Sequence, residues 1–214
     1  MNSKTGCAAA LVLLCLFSAA GEVRAQSEDT LRFEVGAHFS SLTINNFPDE
    51  TQPGFGGRFT INLNDNFALE AETNYYPKER RFRTDNSGGR SAQSLFGVKA
   101  GKRYDKFGLF AKVRPGFIHF TGAQRVTGFT VQTFQGQSFI VPDFRRQSVT
   151  HFATDVGGVV EFYPSRRIIT RFDLGDTIIR YGGFNSPAFP SGTFRVESTT
   201  GHNFQFNAGI GLRF

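Results

Sequence analysis

Residues 202–214 (H-N-F-Q-F-N-A-G-I-G-L-R-F) alternate from end to end. Phe204, Phe206, Ala208, Ile210, Leu212 and Phe214 share one parity and are all apolar. Asn203, Gln205, Asn207, Gly209, Gly211 and Arg213 share the other and are all polar or glycine. Successive side chains of a strand point to opposite faces, so this pattern makes a strand with one apolar wall and one polar wall. Two settings suit such a strand. In a soluble sandwich the apolar wall meets a second sheet; in a membrane barrel it meets lipid. A soluble domain rarely closes on a strand whose final side chain is a bare phenylalanine, which favours lipid.

Seven further segments carry the same alternation. The expected strands lie at 31–43, 54–63, 67–76, 92–103, 107–120, 148–163 and 167–181. Residues 44–53, 77–91, 121–147 and 182–200 read as longer connections. Asn64-Asp65-Asn66, Tyr104-Asp105-Lys106 and Pro164-Ser165-Arg166 read as tight turns. The core of 121–147 still alternates, so its flanking strands are expected to continue as a hairpin. Pro115 has no N–H to give to a ladder and predicts a bulge or a local break. Asp176 falls on the outward parity. Either a bulge resets the register near Gly175, or the strand has already left the hydrocarbon there.

Long and short connections thus alternate along the chain, and both chain ends fall beside the short turns. This is the layout of an all-β, eight-stranded antiparallel up-and-down transmembrane β-barrel, with an even strand count, short periplasmic turns and long outer loops. Each expected strand reaches the roughly ten residues that a tilted crossing needs. All five tyrosines sit near strand ends, Tyr75, Tyr76 and Tyr181 above and Tyr104 and Tyr163 below. That distribution predicts an aromatic girdle with the hydroxyls wet.

The head of the chain is different. Lys4 precedes an apolar run from Ala8 to Phe17, and Val23-Arg24-Ala25 offers small side chains two apart. Residues 1–25 read as a cleaved secretory signal peptide and 26–214 as the barrel domain. Both cysteines, Cys7 and Cys15, lie in the signal, which excludes disulfides and thiolate metal sites from the mature chain. Removing Lys4, Arg24 and Glu22 leaves 22 basic and 17 acidic residues, a net charge of +5. For an exported chain the matching anion is lipopolysaccharide phosphate and not nucleic acid. There are 26 phenylalanines and no tryptophan, yet no mature stretch approaches a membrane-spanning helix. Many phenylalanines without an apolar run fit strands that show them to lipid one at a time.

The closing residues Asn207-x-Gly209-x-x-Leu212-x-Phe214 resemble the terminal signal read by the outer-membrane assembly machinery. Together with the signal peptide and eight strands they resemble the small bacterial outer-membrane β-barrel family of OmpA-like, OmpX-like and opacity-type proteins. The resemblance covers 26–214 and implies location in the outer membrane and contact with the assembly machinery through the C-terminal strand. It says little of activity, because family members include adhesins, structural barrels and a few enzymes.

An eight-stranded barrel is just wide enough for its side chains to fill. The inward parity carries Arg58, Lys99, Arg103, Lys112, Arg114, Arg171 and Arg213 against Glu34, Glu70, Glu72, Asp155, Glu161 and Asp173. Charges away from water must pair, so a salt-bridge network filling the lumen is expected, with an ion path lined by fixed charge as the alternative. Lipid A-modifying enzymes use barrels of this size with Ser and His near the outer rim. His38, His151, His202, Ser148 and Ser198 lie near that rim, and His38-Phe39-Ser40 has the His-x-Ser spacing, but a lone histidine in a barrel is more often a hydrogen-bonded lumen residue. No catalytic, cofactor or metal site is therefore assigned. Arg80, Arg81 and Arg83 in the 77–91 loop are candidate contacts for lipopolysaccharide. The Phe-rich 121–147 hairpin is either an adhesive edge or packing without a partner. The reading is a monomeric, non-enzymatic barrel serving envelope structure or surface interaction. A narrow porin-like channel is the alternative, and a lipid A-modifying enzyme the third reading.

Overall fold

A computed structural model of the chain describes residues 32–45, 49–80 and 83–214. Residues 1–25, read above as a signal peptide, lie outside the described residues, as does Arg81. Ten strands follow one another: β1 (Phe33–Ile44), β2 (Glu50–Asn62), β3 (Phe67–Arg80), β4 (Gly89–Arg103), β5 (Phe107–Phe134), β6 (Gln137–Phe162), β7 (Ile168–Tyr181), β8 (Phe184–Pro187), β9 (Thr193–Val196) and β10 (Thr199–Arg213). Eight close into an antiparallel barrel in the order β1-β10-β7-β6-β5-β4-β3-β2, and β8 and β9 pair separately.

Local chemistry sets the turns. Asn64 Oδ1 accepts hydrogen bonds from the amides of Asn66 and Phe67, both at 2.8 Å, and so folds the β2–β3 connection on itself. Ser165 Oγ accepts from the amides of Arg167 and Ile168 between β6 and β7. The stretch 202–214 closes the barrel. Its register with β1 runs from Glu34 opposite Arg213 to Thr43 opposite Phe204. Phe33 and Phe214 then exchange both backbone hydrogen bonds, at 2.9 and 2.8 Å.

The register also fixes the shape. Paired neighbours lead from Phe33 through Ile61, Leu69, Val98, Val113, Val156, Asp176 and Phe204 back to β1 at Thr43, ten residues beyond the start. Eight strands with this stagger tilt by about 40° from the barrel axis. Outward positions are apolar and exposed, as at Phe55, Phe96, Phe117 and Ile210. The inside is mostly polar, which inverts the arrangement of a soluble barrel.

Several expectations need correction. The first connection is short, because β2 begins at Glu50 and carries Pro53 opposite Ser41. A proline fits a position whose N–H is not needed by the ladder. The 77–91 loop shrinks at both ends, since β3 runs to Arg80 and β4 starts at Gly89. The last long loop contains the β8–β9 hairpin. Tyr76 and Tyr181 are buried inside the barrel, because both fall on the inward parity; Tyr75 and Tyr104 face out. At Pro115 the pairing with β6 is unbroken while two positions of the β4 ladder are missing, so the proline makes a local break without a bulge. No register shift occurs near Gly175, and Asp176 stays on the outer wall.

Candidate functional site

Some strands change character along their inward faces. On β5 the inward residues pass from Lys112 and Arg114 to Ile118 and Phe120; on β7 they pass from Arg171 and Asp173 to Thr177, Ile179 and Tyr181. The end beside the short turns is therefore ionic and the opposite end is apolar.

Arg114 is the hub of the ionic half. Its Nε and one terminal nitrogen donate to Asp155 at 3.0 and 2.5 Å, and the other terminal nitrogen donates to Glu72 at 2.5 Å and Glu70 at 3.5 Å. Arg171 clamps Asp173 at 2.5 and 2.9 Å and also bonds Glu70. Lys99 reaches Glu161 at 2.5 Å, and Lys112 lies 2.8 Å from Asp155 and 3.3 Å from Asp173. Nearer the short turns, Glu34 takes Arg213 at 3.0 Å and Arg103 at 3.5 Å. Tyr163, in the β6–β7 turn, donates to Glu161 and accepts from Arg103, and burial followed by the charge of Glu161 pushes its phenol up to about 12. Arg58 is buried in the same half and, among the described residues, has no carboxylate within 4.0 Å. Inward glycines make the room: a Cβ on Gly175 would lie 2.6 Å from Asp155 Oδ1, and one on Gly56 would lie 2.5 Å from His38 Nε2.

An amide layer follows. Asn74 joins His38 at 2.6 Å, Glu72 at 3.0 Å and Gln93 at 3.0 Å. Gln205 and Asn207 continue it from β10, with Asn207 donating to Glu72 at 2.9 Å. Ser40 joins Asn207 at 2.7 Å and Tyr76 at 2.8 Å. Above it Leu42, Ile44, Tyr76, Ile118, Phe120, Ala153, Ile179 and Tyr181 pack into one cluster, with Val149 against it. Sequence reasoning missed this layer. The signal was present, since Leu42, Ile118 and Ile179 break the polar inward parity near the upper strand ends.

The β3–β4 loop folds over that cluster. Arg80 turns inward, almost fully buried, and donates to Ser87 Oγ at 2.9 Å. Thr84 N donates to Ser87 O, Gln124 N to Thr84 O and Gly122 N to Gly88 O. His151 Nε2 lies 2.7 Å from Asn86 O. Gly89 has φ +70, and a Cβ there would stand 2.7 Å from Thr121 Oγ1, so the loop's return needs glycine. Of the arginines expected to contact lipopolysaccharide, Arg80 is thus inside the loop's floor, and Arg83 bonds Glu79 at 2.9 Å. Of the histidines near the rim, His38 is inside, and His202 pairs with Asp176 at 2.6 Å on the outer wall. No serine–histidine hydrogen bond is found among the described residues, nor any cluster of three metal-ligating side chains.

At the loop end β5 and β6 leave the barrel together. They have 28 and 26 residues, where a crossing takes about ten, and they remain paired to Phe134 opposite Gln137. Val131, Phe134, Phe139 and Ile140 on this ribbon are at least 49% exposed.

Over residues 8–214 the sequence matches the family described as "Outer membrane protein beta-barrel domain". The chain belongs to that family. A search of curated proteins returns no match. Among solved structures, Ail, the attachment invasion locus protein of Yersinia pestis, is similar at 12% identity and a TM-score of 0.44, covering 86% of this chain and 97% of Ail. Neisserial surface protein A is similar at 11% identity and a TM-score of 0.46, covering 85% and 97%. The outer-membrane protein AlkL is similar at 10% identity and a TM-score of 0.49, covering 90% and 94%. The family places the barrel in the outer membrane, with the β5–β6 ribbon on the side opposite the short turns. Within the family motif expected to guide assembly, Asn207 and Gly209 have structural work as well. Asn207 ties the amide layer, and a Cβ on Gly209 would lie 2.4 Å from His38 Cβ. Leu212 and Phe214 face outward, and the Phe214 ring lies 6.1 Å from that of Phe33.

Proposed function

We propose that this protein is a non-catalytic outer-membrane barrel with a charge-filled, closed lumen that carries an interaction surface beyond the membrane. The observation that supports it best is the β5–β6 ribbon, which outruns the membrane and exposes Val131, Phe134, Phe139 and Ile140. Soluble surfaces do not ordinarily leave such apolar side chains in one projection without a partner. The paired charges about Arg114 and Arg171, the apolar layer above them and the folded β3–β4 loop speak for a plug and against a path. Residues 1–25 serve as a cleaved signal, and the barrel stands alone in its own membrane. The Asn207, Gly209, Leu212 and Phe214 motif addresses the assembly machinery, while Arg83, together with Arg81 outside the described residues, binds lipopolysaccharide phosphate. Replacing Gly128–Pro142 by an Asn-Gly turn tests the main reading: the barrel should still show heat-modifiable migration while cells lose attachment to other surfaces. Attachment undiminished by that truncation sinks it. In a planar bilayer, steady ion-selective steps abolished by neutralising Lys112 and Arg114 would replace the plug with a narrow channel.

A further inference from the structure

The ionic half of the lumen holds seven inward cations and six carboxylates. Six of the cations have a carboxylate within 4.0 Å: Lys99 has Glu161, Arg103 and Arg213 share Glu34, Lys112 and Arg114 share Asp155, and Arg171 has Glu70. Arg58 is the seventh. It is 6% exposed, and among the described residues no carboxylate lies within 4.0 Å of it and no hydrogen bond reaches its guanidinium. Asp65 approaches Arg103 at 3.9 Å, but it stands in the β2–β3 turn with its side chain 69% exposed, where water screens it. The enclosed cluster therefore carries one positive charge in excess, and that charge sits at Arg58.

The wall beside Arg58 is bare backbone. Arg58 pairs with Gly36 on β1, and Gly36 pairs with Gly211 on β10. Gly209, the next inward position of β10, adds a third residue without a side chain. A Cβ on Gly36 would stand 3.3 Å from Arg58 Nη2, so the guanidinium lies against this wall. A Cβ on Gly211 would meet the β1 backbone first, at Val35 and Gly36. None of these positions supplies an acceptor side chain. A guanidinium stays protonated and has five N–H groups to give. Water would accept those hydrogen bonds and leave the charge, which is costly inside a low-dielectric barrel. A small monovalent anion answers both needs. It accepts several N–H groups, takes little more room than a side-chain methyl group, and carries the one negative charge that the cluster lacks. A divalent oxyanion would reverse the imbalance.

We infer that the lumen binds one halide-sized monovalent anion at Arg58, against the wall of Gly36, Gly209 and Gly211, as the counterion that completes the ionic cluster. This rests on the reading of the lumen as closed. In an open path water and salt would screen Arg58, and no ion would be held in place. The chain supplies six of the negative charges, and solution supplies the seventh.

The test uses the folded barrel in uncharged micelles. Bromide is the probe, and gluconate, too large for the site, is the reference at equal ionic strength. At about 100 times its dissociation constant, bromide should raise the urea midpoint by about 1 M. Arg58→Gln should unfold at one midpoint in both salts. Arg58→Lys keeps the charge and should recover part of the bromide effect, which a merely structural role for the arginine would not produce. Anomalous diffraction from wild-type crystals grown in bromide should place one ion within hydrogen-bond reach of the Arg58 guanidinium, and this measurement stands even if Arg58→Gln does not fold. Equal wild-type midpoints in the two salts, with no bromide at Arg58, would overturn the anion site. A bromide effect that survives undiminished in Arg58→Gln would overturn it too. Planar-bilayer conductance separates the two ways to fail: a closed barrel that ignores bromide loses only the anion, whereas a barrel with steady conductance loses the plug as well.

Discussion

Toward the short turns the interior of this barrel is held by ions, and toward the ribbon it is held by hydrocarbon. Arg114 binds Asp155 and Glu72 in the first region; Ile118 and Phe120, four and six residues along the same strand, pack with Leu42 and Ile179 in the second. Both regions fill the same barrel, and they do so with opposite tolerances. An ionic cluster depends on every partner being present, because each charge left alone keeps its desolvation penalty. An apolar layer depends on volume, and a missing methyl group leaves a cavity of proportionate cost. The two halves should therefore fail differently when a single side chain is removed.

The largest effect is expected at Arg114. Arg114→Met removes the guanidinium shared by Asp155, Glu72 and Glu70; Asp155 keeps Lys112 and Glu70 keeps Arg171, but Glu72 is left buried with amide donors and, among the described residues, no cation nearer than His38 at 3.9 Å. A loss of about 3–5 kcal/mol of folding free energy should follow, read as a lowered urea midpoint in micelles. High salt should not reproduce it, because buried pairs are poorly screened. A midpoint unchanged by Arg114→Met would mean that water reaches the cluster, and would turn the plug into a path. Leu42→Ala in the apolar half should lose less, near the low end of the roughly 2–5 kcal/mol range for such truncations, because the site lies just below a loop that can settle into the space. If Leu42→Ala cost more than Arg114→Met, the apolar layer would be the principal closure.

The boundary between the halves offers a finer measurement. Tyr76 belongs to the apolar cluster by its ring and to the amide layer by its hydroxyl, which lies 2.8 Å from Ser40 Oγ. Tyr76→Phe keeps the ring and removes only the hydrogen bond. A loss of about 1 kcal/mol is expected in the same unfolding measurement. A gain in stability would show that the hydroxyl is a misfit in the apolar layer and that the boundary lies lower than Ser40.

The ionic half was legible because a strand sorts residues by parity, and Glu70, Glu72, Arg114, Arg171 and Asp173 all sit on the parity opposite the lipid-facing phenylalanines. Parity says which wall a side chain faces; it does not say what faces it across the lumen. The contact of Arg171 with Glu70, 101 residues apart, depends on the stagger of the whole barrel. The apolar half was harder to see for a related reason. Ile118 and Ile179 stand beside the outward Phe117 and Ile178, so alternation fades where both walls are apolar, while Leu42, between Ser41 and Thr43, reverses the polarity of its two faces. The tyrosines misled by the same route: position near a strand end suggested a girdle, while parity put Tyr76 and Tyr181 inside. Proline misled at the first connection, where Pro53 stands in a strand and not beyond it.

Arg80 and Arg83, three residues apart, set a fully enclosed charge beside a partly covered one whose partner stands in solvent. Arg80 is almost fully enclosed, donates to Ser87 and lies 3.6 Å from Glu50. Arg83 bonds Glu79, whose side chain is largely in solvent. An exposed pair of this kind gains little Coulomb energy in water and restrains two long side chains, so Arg83→Ala should shift stability by no more than about 0.5 kcal/mol. If Arg83 serves the rim as proposed, the same substitution should instead weaken retention of lipopolysaccharide on the purified barrel, and raised salt should weaken it further. An Arg83→Ala protein that unfolds early but holds lipopolysaccharide like the parent would reverse the assignment, making Arg83 part of the loop's closure and leaving the rim to other residues.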